Sequence, residues 1–78
     1  MTQVDYRESY QTVQKHMGEY GKLHPELMGS FGNLHQAASK DGALDSKTKE
    51  LIALSIAITV RCDGCIAYHV HDALDAGA

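Results

Sequence analysis

The chain has 78 residues, 44% of them hydrophobic, so it forms at most one domain of ordinary globular composition. Its net charge is −3 and its basic residues are scattered, which excludes the electrostatic footprint typical of nucleic-acid binding. We see no apolar run long enough to cross a bilayer and no signal-like segment at the start. We therefore expect a cytoplasmic protein without nucleic-acid or membrane partners.

The N-terminal part of the chain predicts an amphipathic helix over residues 4–20. Apolar side chains recur there at the offsets of one helix face, from Tyr6 through Tyr10 to Tyr20. We expect these tyrosines to pack in a core or an interface rather than to bind a ligand. Gly21 then predicts the end of the helix.

A second helix is predicted to begin at Pro25, because proline suits the first helical position, where its missing N–H would have no partner. Its apolar stripe leads to Asp41 and Gly42, near which we expect the helix to end. Gly29 and Gly32 lie inside the stripe and weaken it by about 1 kcal/mol each relative to alanine. They either permit the close approach of a neighbouring backbone or break the helix.

The third predicted helix contains the longest apolar run of the chain. Asp45 or Ser46 can cap it by accepting a hydrogen bond from a backbone N–H one turn further on. The helix continues to Val60, and its apolar residues indicate that it becomes buried on all sides.

A short break over residues 61–64 precedes a fourth predicted helix, for which Gly77 is a plausible stop. Its apolar face consists of Ile66, Val70, Ala73 and Leu74. No segment alternates apolar and polar residues as a half-buried strand does. The sequence thus predicts an all-α fold, with residues 1–78 forming one domain.

The two cysteines form the most specific short motif of the chain. Cys62 and Cys65 stand at the start of the fourth helix, where backbone N–H groups and the helix dipole stabilise a thiolate. Their spacing lets the second sulfur resolve an oxidised first one into a disulfide. Asp63 acts in the opposite direction, since a neighbouring carboxylate raises the pKa of a thiol. The sequence leaves open which effect is larger.

His69 follows Cys65 by one helical turn, so both project from one face and the imidazole can exchange protons with the sulfur. His71 points away and is expected to be exposed. Glu50 lies where the third helix turns apolar, and from the residues alone we expect an exposed glutamate favoured by the helix dipole. If the third helix packs against the fourth, its carboxylate could instead face the sulfurs. Three further histidines are interpreted as surface or capping residues: His16, His24 and His35.

Three interpretations of the thiol pair remain open. A structural disulfide is disfavoured because no secretory signal is visible. The ligands of a zinc site would be Cys62, Cys65 and His69, with His71 or Glu50 as the fourth. Structural zinc commonly uses two separated ligand pairs, and the second pair is missing. Dithiol redox chemistry is therefore the favoured interpretation.

A longer motif extends across the third and fourth predicted helices. It consists of Lys47-Thr48-Lys49-Glu50-Leu51-Ile52, an alanine-rich apolar helix and Cys62-x-x-Cys65-x-x-x-His69. This pattern resembles the alkylhydroperoxidase D-like proteins of the carboxymuconolactone decarboxylase superfamily. The order of glutamate, eleven residues, cysteine, two residues, cysteine, three residues and histidine is the redox signature of that family. The resemblance covers at least residues 25–78.

The resemblance implies an all-helical bundle that assembles as a symmetric homo-oligomer, a trimer or a hexamer. It implies a thiol-dependent peroxidase or disulfide reductase without a bound cofactor or metal. Carried over by position, Cys65 attacks the peroxide and Cys62 is the resolving, reductant-facing sulfur. Glu50 and His69 form the proton relay. The implied partners are a hydroperoxide and a dithiol reductant such as a lipoyl or thioredoxin-like protein.

The chain departs from the family pattern in two ways. The peroxidase members carry a histidine next to the second cysteine, where this chain has Gly64, so we expect a weaker or differently activated peroxidase. Family members also continue past residues 76–78 into further helices, so we expect either a truncated form or an obligate oligomer that covers the apolar residues of the third helix. The decarboxylase branch typically lacks the cysteine pair, which disfavours lactone decarboxylation. The remaining alternative is a zinc-binding or redox-sensing module without catalytic activity.

Overall fold

A computed structural model describes residues 3–78 of the chain, and these residues form four α-helices and no strand. The helices are α1 (Tyr6–Leu23), α2 (Pro25–Ser39), α3 (Ser46–Val60) and α4 (Asp63–Asp75). The all-α prediction is therefore confirmed. None of these helices combines the length and the hydropathy that a membrane span requires.

The turn between α1 and α2 depends on proline. α1 begins after Asp5, whose side chain caps its first turn. Gly21 lies inside α1, so the prediction that the helix stops there is wrong. The chain instead turns at His24 (φ −134°, ψ 66°), because Pro25 disfavours a helical conformation of the residue before it. Pro25 is the first residue of α2, as predicted.

α2 is continuous through Gly29 and Gly32. Apart from the adjacent residues and the backbone of α2 itself, nothing in the described part of the chain lies within 4 Å of the position that a Cβ would take at either glycine. The helix therefore neither breaks nor meets a close backbone there, contrary to both expectations. α2 ends at Ser39, before the predicted boundary, since Lys40 is already extended (ψ 151°).

Asp45 caps α3 and so fixes where this helix begins. Its carboxylate accepts a hydrogen bond from the N–H of Thr48 at 2.7 Å. Hydrogen bonds from the Thr48 side chain and backbone lower the pKa of Asp45, because they favour its charged form. Ser46 is the first helical residue, and its hydroxyl donates to the carbonyl of Ser39. This bond ties the start of α3 to the end of α2.

The turn between α3 and α4 is shorter than the predicted break over residues 61–64. Arg61 adopts the left-handed conformation (φ 57°), and Cys62 is already the N-cap of α4. This tight turn places both cysteines at the N-terminal end of α4, as the sequence predicts. At the other end Gly77 lies beyond the last helical residue with φ 99°, a conformation that glycine adopts without strain.

α4 lies at the centre of the packing, where it contacts both α3 and α1. The buried apolar residues are all small, since Ala57, Ala67 and Ala73 are each 3% exposed. Short side chains allow the axes of packed helices to approach closely. The close contact of α3 with α4 is what positions the candidate site described below.

The apolar run of α3 is not buried on all sides within the described residues, so that prediction is wrong. Ile56 and Ile58 are each 57% exposed, and Val60 is 64% exposed. α2 adds Leu27 and Phe31, both more than half exposed. The radius of gyration, 13.5 Å, exceeds the value of about 11.5 Å expected for a compact domain of this length. The fold is open, and α2 and α3 present apolar side chains outward.

Candidate functional site

The two cysteines lie next to each other at the N-terminus of α4. Cys62 is its N-cap and Cys65 lies in its first turn, with both sulfurs free and 2.9 Å apart. Cys62 is half-buried, whereas Cys65 is exposed. A disulfide requires a sulfur–sulfur distance of about 2.05 Å. A small side-chain movement is therefore enough to join them.

The surroundings of the two sulfurs give them different acidities. The hydrogen bond between the two thiols lowers the pKa of Cys62, and the backbone N–H groups of Cys65 and Gly64 lower it further. The carboxylate of Asp63 opposes this shift but does not outweigh it. The same thiol–thiol hydrogen bond raises the pKa of Cys65, and the loss of some hydration at this sulfur raises it further. Of the two thiols, Cys62 is therefore the one that loses its proton first as the pH rises.

Glu50 and His69 form a direct hydrogen bond between α3 and α4. The distance from Glu50 Oε2 to His69 Nδ1 is 2.7 Å. Glu50 is only 8% exposed, so the expectation of an exposed glutamate is wrong. The reason is the packing of α3 on α4, which turns this position toward α4. An ionised carboxylate can only accept a hydrogen bond, so we assign the proton to Nδ1 of His69, which leaves Nε2 free to accept a proton.

One cavity of about 390 Å³ joins the sulfurs and the imidazole. Its chemically active lining residues are Cys62, Cys65 and His69. Its remaining walls come from α1, α2 and α4: Val13, Met17, Phe31, His35, Gly64 and Tyr68. The site therefore combines a dithiol and an imidazole with mostly apolar surroundings. His35 is exposed, as expected, but its place at this cavity had no signal in the sequence, because α2 approaches the site only through the tertiary fold.

Tyr68 is the largest residue of the cavity wall. Its hydroxyl lies 3.5 Å from Met17 Sδ, and its ring lies 4.7 Å from that of Tyr10, measured between centroids. Burial raises the pKa of Tyr68, so the phenol stays neutral. The expectation that Tyr10 packs rather than binds a ligand agrees with these contacts.

A second cavity, of about 360 Å³, lies on the other side of Glu50. Its lining residues are His35, Ser39, Ser46, Glu50, Asp72, Asp75 and Ala76. The hydrogen-bonded pair of Glu50 and His69 therefore connects the two cavities, since His69 lines the first and Glu50 the second. Sequence reasoning did not single out Asp72, although it follows His69 by three positions on the same helix face.

The residues that the sequence suggested as zinc ligands do not come together as one group in the structure. Among residues 3–78, the group of metal-ligating side chains with donor atoms within 4.8 Å of one another is Glu50, His69 and Asp72. Neither cysteine belongs to it. His71, the other proposed fourth ligand, stacks on Tyr10 with ring centroids 4.2 Å apart. The His71 side chain is 46% exposed, in line with its expected exposure.

Gly64, where the peroxidase pattern has a histidine, is open to a side chain. A Cβ at this position would lie 3.7 Å from Val13 Cγ2, which is an ordinary van der Waals contact. The backbone therefore does not require glycine here. The absent histidine is a chemical difference at the site and not a consequence of strain.

The chain is similar to several known proteins. The model of the carboxymuconolactone decarboxylase family matches residues 25–78. A crystal structure of an apo carboxymuconolactone decarboxylase family protein from Legionella pneumophila superposes with a TM-score of 0.87 at 41% identity. That match covers 94% of this chain and 65% of the Legionella chain.

The curated relatives of similar sequence are described as uncharacterized proteins. An uncharacterized protein of Haemophilus influenzae is 43% identical over 70 residues, which is 90% of this chain. An uncharacterized protein of Cupriavidus necator is 33% identical over 71 residues, which is 91% of this chain. The uncharacterized protein 4 in the cox locus of Paracoccus denitrificans is 37% identical over 62 residues, or 80% of this chain. The chain spans 62%, 63% and 56% of these relatives.

Proposed function

Because the chain belongs to the carboxymuconolactone decarboxylase family, we propose that it is a dithiol oxidoreductase that reduces hydroperoxides. The observation that carries this proposal is the cavity in which the sulfurs of Cys62 and Cys65 meet His69, itself hydrogen-bonded to the buried Glu50. A nucleophile, a second thiol and an oriented proton acceptor are the groups that thiol catalysis needs.

The proposed first step is attack by the Cys65 sulfur on the terminal oxygen of a hydroperoxide. The O–O bond breaks, Cys65 becomes a sulfenic acid and the rest of the peroxide leaves as an alcohol. His69, oriented by Glu50, accepts the thiol proton at Nε2 and returns it to the departing alkoxide. The step therefore balances as thiol plus hydroperoxide giving sulfenic acid plus alcohol.

We assign the attack to Cys65 for two reasons. Cys65 is exposed whereas Cys62 is half-buried, and Cys65 stands one helical turn from His69. The raised pKa of Cys65 means that this sulfur holds its proton at rest. Only the thiolate is strongly nucleophilic. This assignment therefore makes proton removal through His69 and Glu50 essential.

The cycle closes with Cys62. Its sulfur displaces water from the sulfenic acid of Cys65, forming a disulfide. An external dithiol, of the lipoyl or thioredoxin-like kind, then reduces this disulfide and becomes oxidised itself. The cytoplasm, where reductants keep thiols reduced, stays our expected location for such a cycle.

The walls of the site favour an organic hydroperoxide over hydrogen peroxide. Val13, Met17 and Phe31 offer apolar contacts beside the sulfurs. An alkyl or aryl group of the substrate gains free energy when it leaves water for such a surface. Hydrogen peroxide has no apolar group and gains nothing from these contacts.

One equivalent of tert-butyl hydroperoxide should consume both thiols of the reduced chain and yield one intramolecular disulfide. Thiol titration and mass spectrometry of the intact chain measure this directly. Protein alkylated beforehand with N-ethylmaleimide serves as the control and should be inert. Retention of both thiols, or loss of only one with gain of oxygen, would contradict the proposed cycle.

Two other functions can be tested on the same protein preparation. Turnover of carboxymuconolactone by the thiol-blocked protein would favour a decarboxylase, which the family description alone allows. Thiols that become titratable only after a chelator removes stoichiometric zinc would favour a non-catalytic zinc module. The cysteine pair at the cavity favours redox chemistry over both.

A homo-oligomer, a trimer or a hexamer, is part of this proposal, and the exposed apolar side chains of α2 and α3 support it, since large exposed apolar patches are typical of interfaces. We expect sedimentation equilibrium at micromolar concentration to give a mass well above that of one chain. Ile56→Glu should shift the protein toward smaller species, since it places a charge in this surface. Leu23→Glu, at the end of α1, is the control for an exposed leucine elsewhere. A monomeric wild-type chain would disprove the prediction.

A further inference from the structure

We propose that Glu50, His69 and Asp72 form a binding site for a divalent transition-metal ion, with Zn²⁺ as the ion that suits it best. Each residue offers one donor atom, and these atoms all lie within 4.8 Å of one another. The donors come from two different helices, Glu50 from α3 and the other two from α4. The site is distinct from the dithiol, because no sulfur belongs to the group.

The distances fit a metal ion after small side-chain movements. Zinc binds imidazole nitrogen and carboxylate oxygen at about 2.0–2.2 Å, so tetrahedral donors lie about 3.3–3.6 Å apart. Glu50 Oε2 and His69 Nδ1 are closer than this, at 2.7 Å, because a proton now lies between them. The ion would take the place of that proton, with the two donors moving apart by less than an ångström. Asp72 would then complete three protein ligands from within the 4.8 Å limit.

The chemistry of the donors selects a borderline-soft divalent ion. Imidazole nitrogen and carboxylate oxygen are both ligand types that zinc uses, and an imidazole favours a transition-metal ion over Mg²⁺ or Ca²⁺. Asp72 is also held from outside the group, since its Oδ1 lies 3.0 Å from Nδ1 of His71. Such an outer contact orients a ligating carboxylate.

The second cavity, on the polar side of Glu50, gives an ion a route to the site. Besides Glu50 and Asp72 it is lined by Asp75 and by two serines, Ser39 and Ser46. Three of the residues that line it carry carboxylates, and none of its lining residues is a lysine or an arginine. Its volume of about 360 Å³ leaves room for the waters of the open coordination position.

Metal binding would have a regulatory consequence that rests on the proposed function. The ion occupies Nδ1 of His69 and the carboxylate of Glu50, so this pair can no longer pass protons as the relay requires. Zn²⁺ would then inhibit peroxide turnover without touching the sulfurs. The binding itself does not depend on any turnover.

The test is a Co²⁺ titration of the full chain oxidised to its disulfide with diamide, so that the thiolates cannot ligate. We expect one Co²⁺ per chain, with visible d–d absorption that Zn²⁺ displaces. Asp72→Asn should weaken binding about ten-fold or more, as loss of a ligating group does. Asp75→Asn, which removes a carboxylate of the same cavity outside the group, is the matched control and should stay within about two-fold of wild type.

Equal Co²⁺ affinity in wild type and Asp72→Asn, or binding only when the thiols are reduced, would overturn the proposal. A second measurement uses the wild-type chain alone, in case Asp72→Asn does not fold. In imidazole ¹⁵N spectra, Zn²⁺ should shift Nδ1 of His69 and leave His16 and His24 unchanged. An unchanged His69 at saturating Zn²⁺ would also overturn it. Because the disulfide form is used throughout, failure here leaves the peroxidase proposal intact, and failure of peroxide turnover leaves the metal site intact.

Discussion

Cys62→Ser and Cys65→Ser should each lose hydroperoxide turnover, with kcat/KM falling about 10³-fold or more. A serine hydroxyl cannot be oxidised to a sulfenic acid, and a lone thiol cannot close the disulfide that the external reductant recognises. The measurement is steady-state reduction of an organic hydroperoxide with a dithiol donor in excess. The double variant should be no worse than either single variant, because the two sulfurs act as a unit.

The single variants also test which sulfur attacks. A single addition of peroxide followed by dimedone should label Cys65 in Cys62→Ser, because its sulfenic acid no longer has a partner. The Cys62 thiol left in Cys65→Ser should label far more slowly. The opposite result would mean that the lowered pKa of Cys62 outweighs the position of Cys65 beside His69. Full turnover in Cys65→Ser would disprove the role assigned to this residue.

The chain has no third cysteine to serve as a matched control. Circular dichroism and sedimentation of both variants therefore have to show an unchanged fold and assembly. The sulfurs contact each other at the surface of the site and are not part of the small alanine core. We accordingly expect both serine variants to fold.

Glu50→Gln should lower kcat/KM for the peroxide about 10²–10³-fold, within the range of general acid–base catalysis. Glutamine keeps the volume of the side chain and can still accept a hydrogen bond from Nδ1 of His69. It removes the negative charge that stabilises the imidazolium formed when His69 takes the thiol proton. Glu50→Ala would be a poorer test, because it leaves a buried N–H without a partner at a cost of about 1–3 kcal/mol.

Glu26→Gln is the matched control for Glu50→Gln, since it neutralises an exposed glutamate in the first turn of α2. A second line of evidence is the rate at which iodoacetamide alkylates Cys65 as a function of pH. Loss of the relay should move this profile toward higher pH and leave the total thiol count unchanged. If Glu50→Gln loses no more activity than Glu26→Gln and keeps the same profile, Glu50 has only a structural role. His69→Gln should resemble Glu50→Gln, and the two losses should not add.

The sequence was sufficient for features that depend on neighbours in the chain. Asp45 starts α3 because an aspartate accepts the N–H one turn further on. Pro25 starts α2 because its ring disfavours a helical conformation at His24. A glycine was a less reliable sign of where a helix ends. Gly21 stays helical, and α1 ends only just before Pro25. Apolar residues recur with the period of a helix and nowhere alternate with polar ones as in a strand, and this pattern was enough to predict the all-α fold.

The candidate site shows the same division. Within one helix, the spacing from Cys62 to Cys65 to His69 fixes which side chains share a face, so the sequence by itself determined the dithiol and its neighbouring imidazole. Glu50 is 19 residues from His69 in the chain. The expectation that this glutamate is exposed near the start of α3 was wrong. Its role in the site was predicted only from the resemblance to the family.

Tertiary structure alone decided which face of α3 meets α4, and with it the burial of Glu50, the second cavity and the place of Asp72. The apolar run of α3 is compatible with burial on any side, because apolar residues occur all around it. The hydrophobic effect is non-directional, so a helix without a polar face gives no sign of which of its faces packs against another helix. In the folded chain the face of α3 that carries Glu50 and Ala57 is the buried one, and α4 buries Ala67 and Ala73.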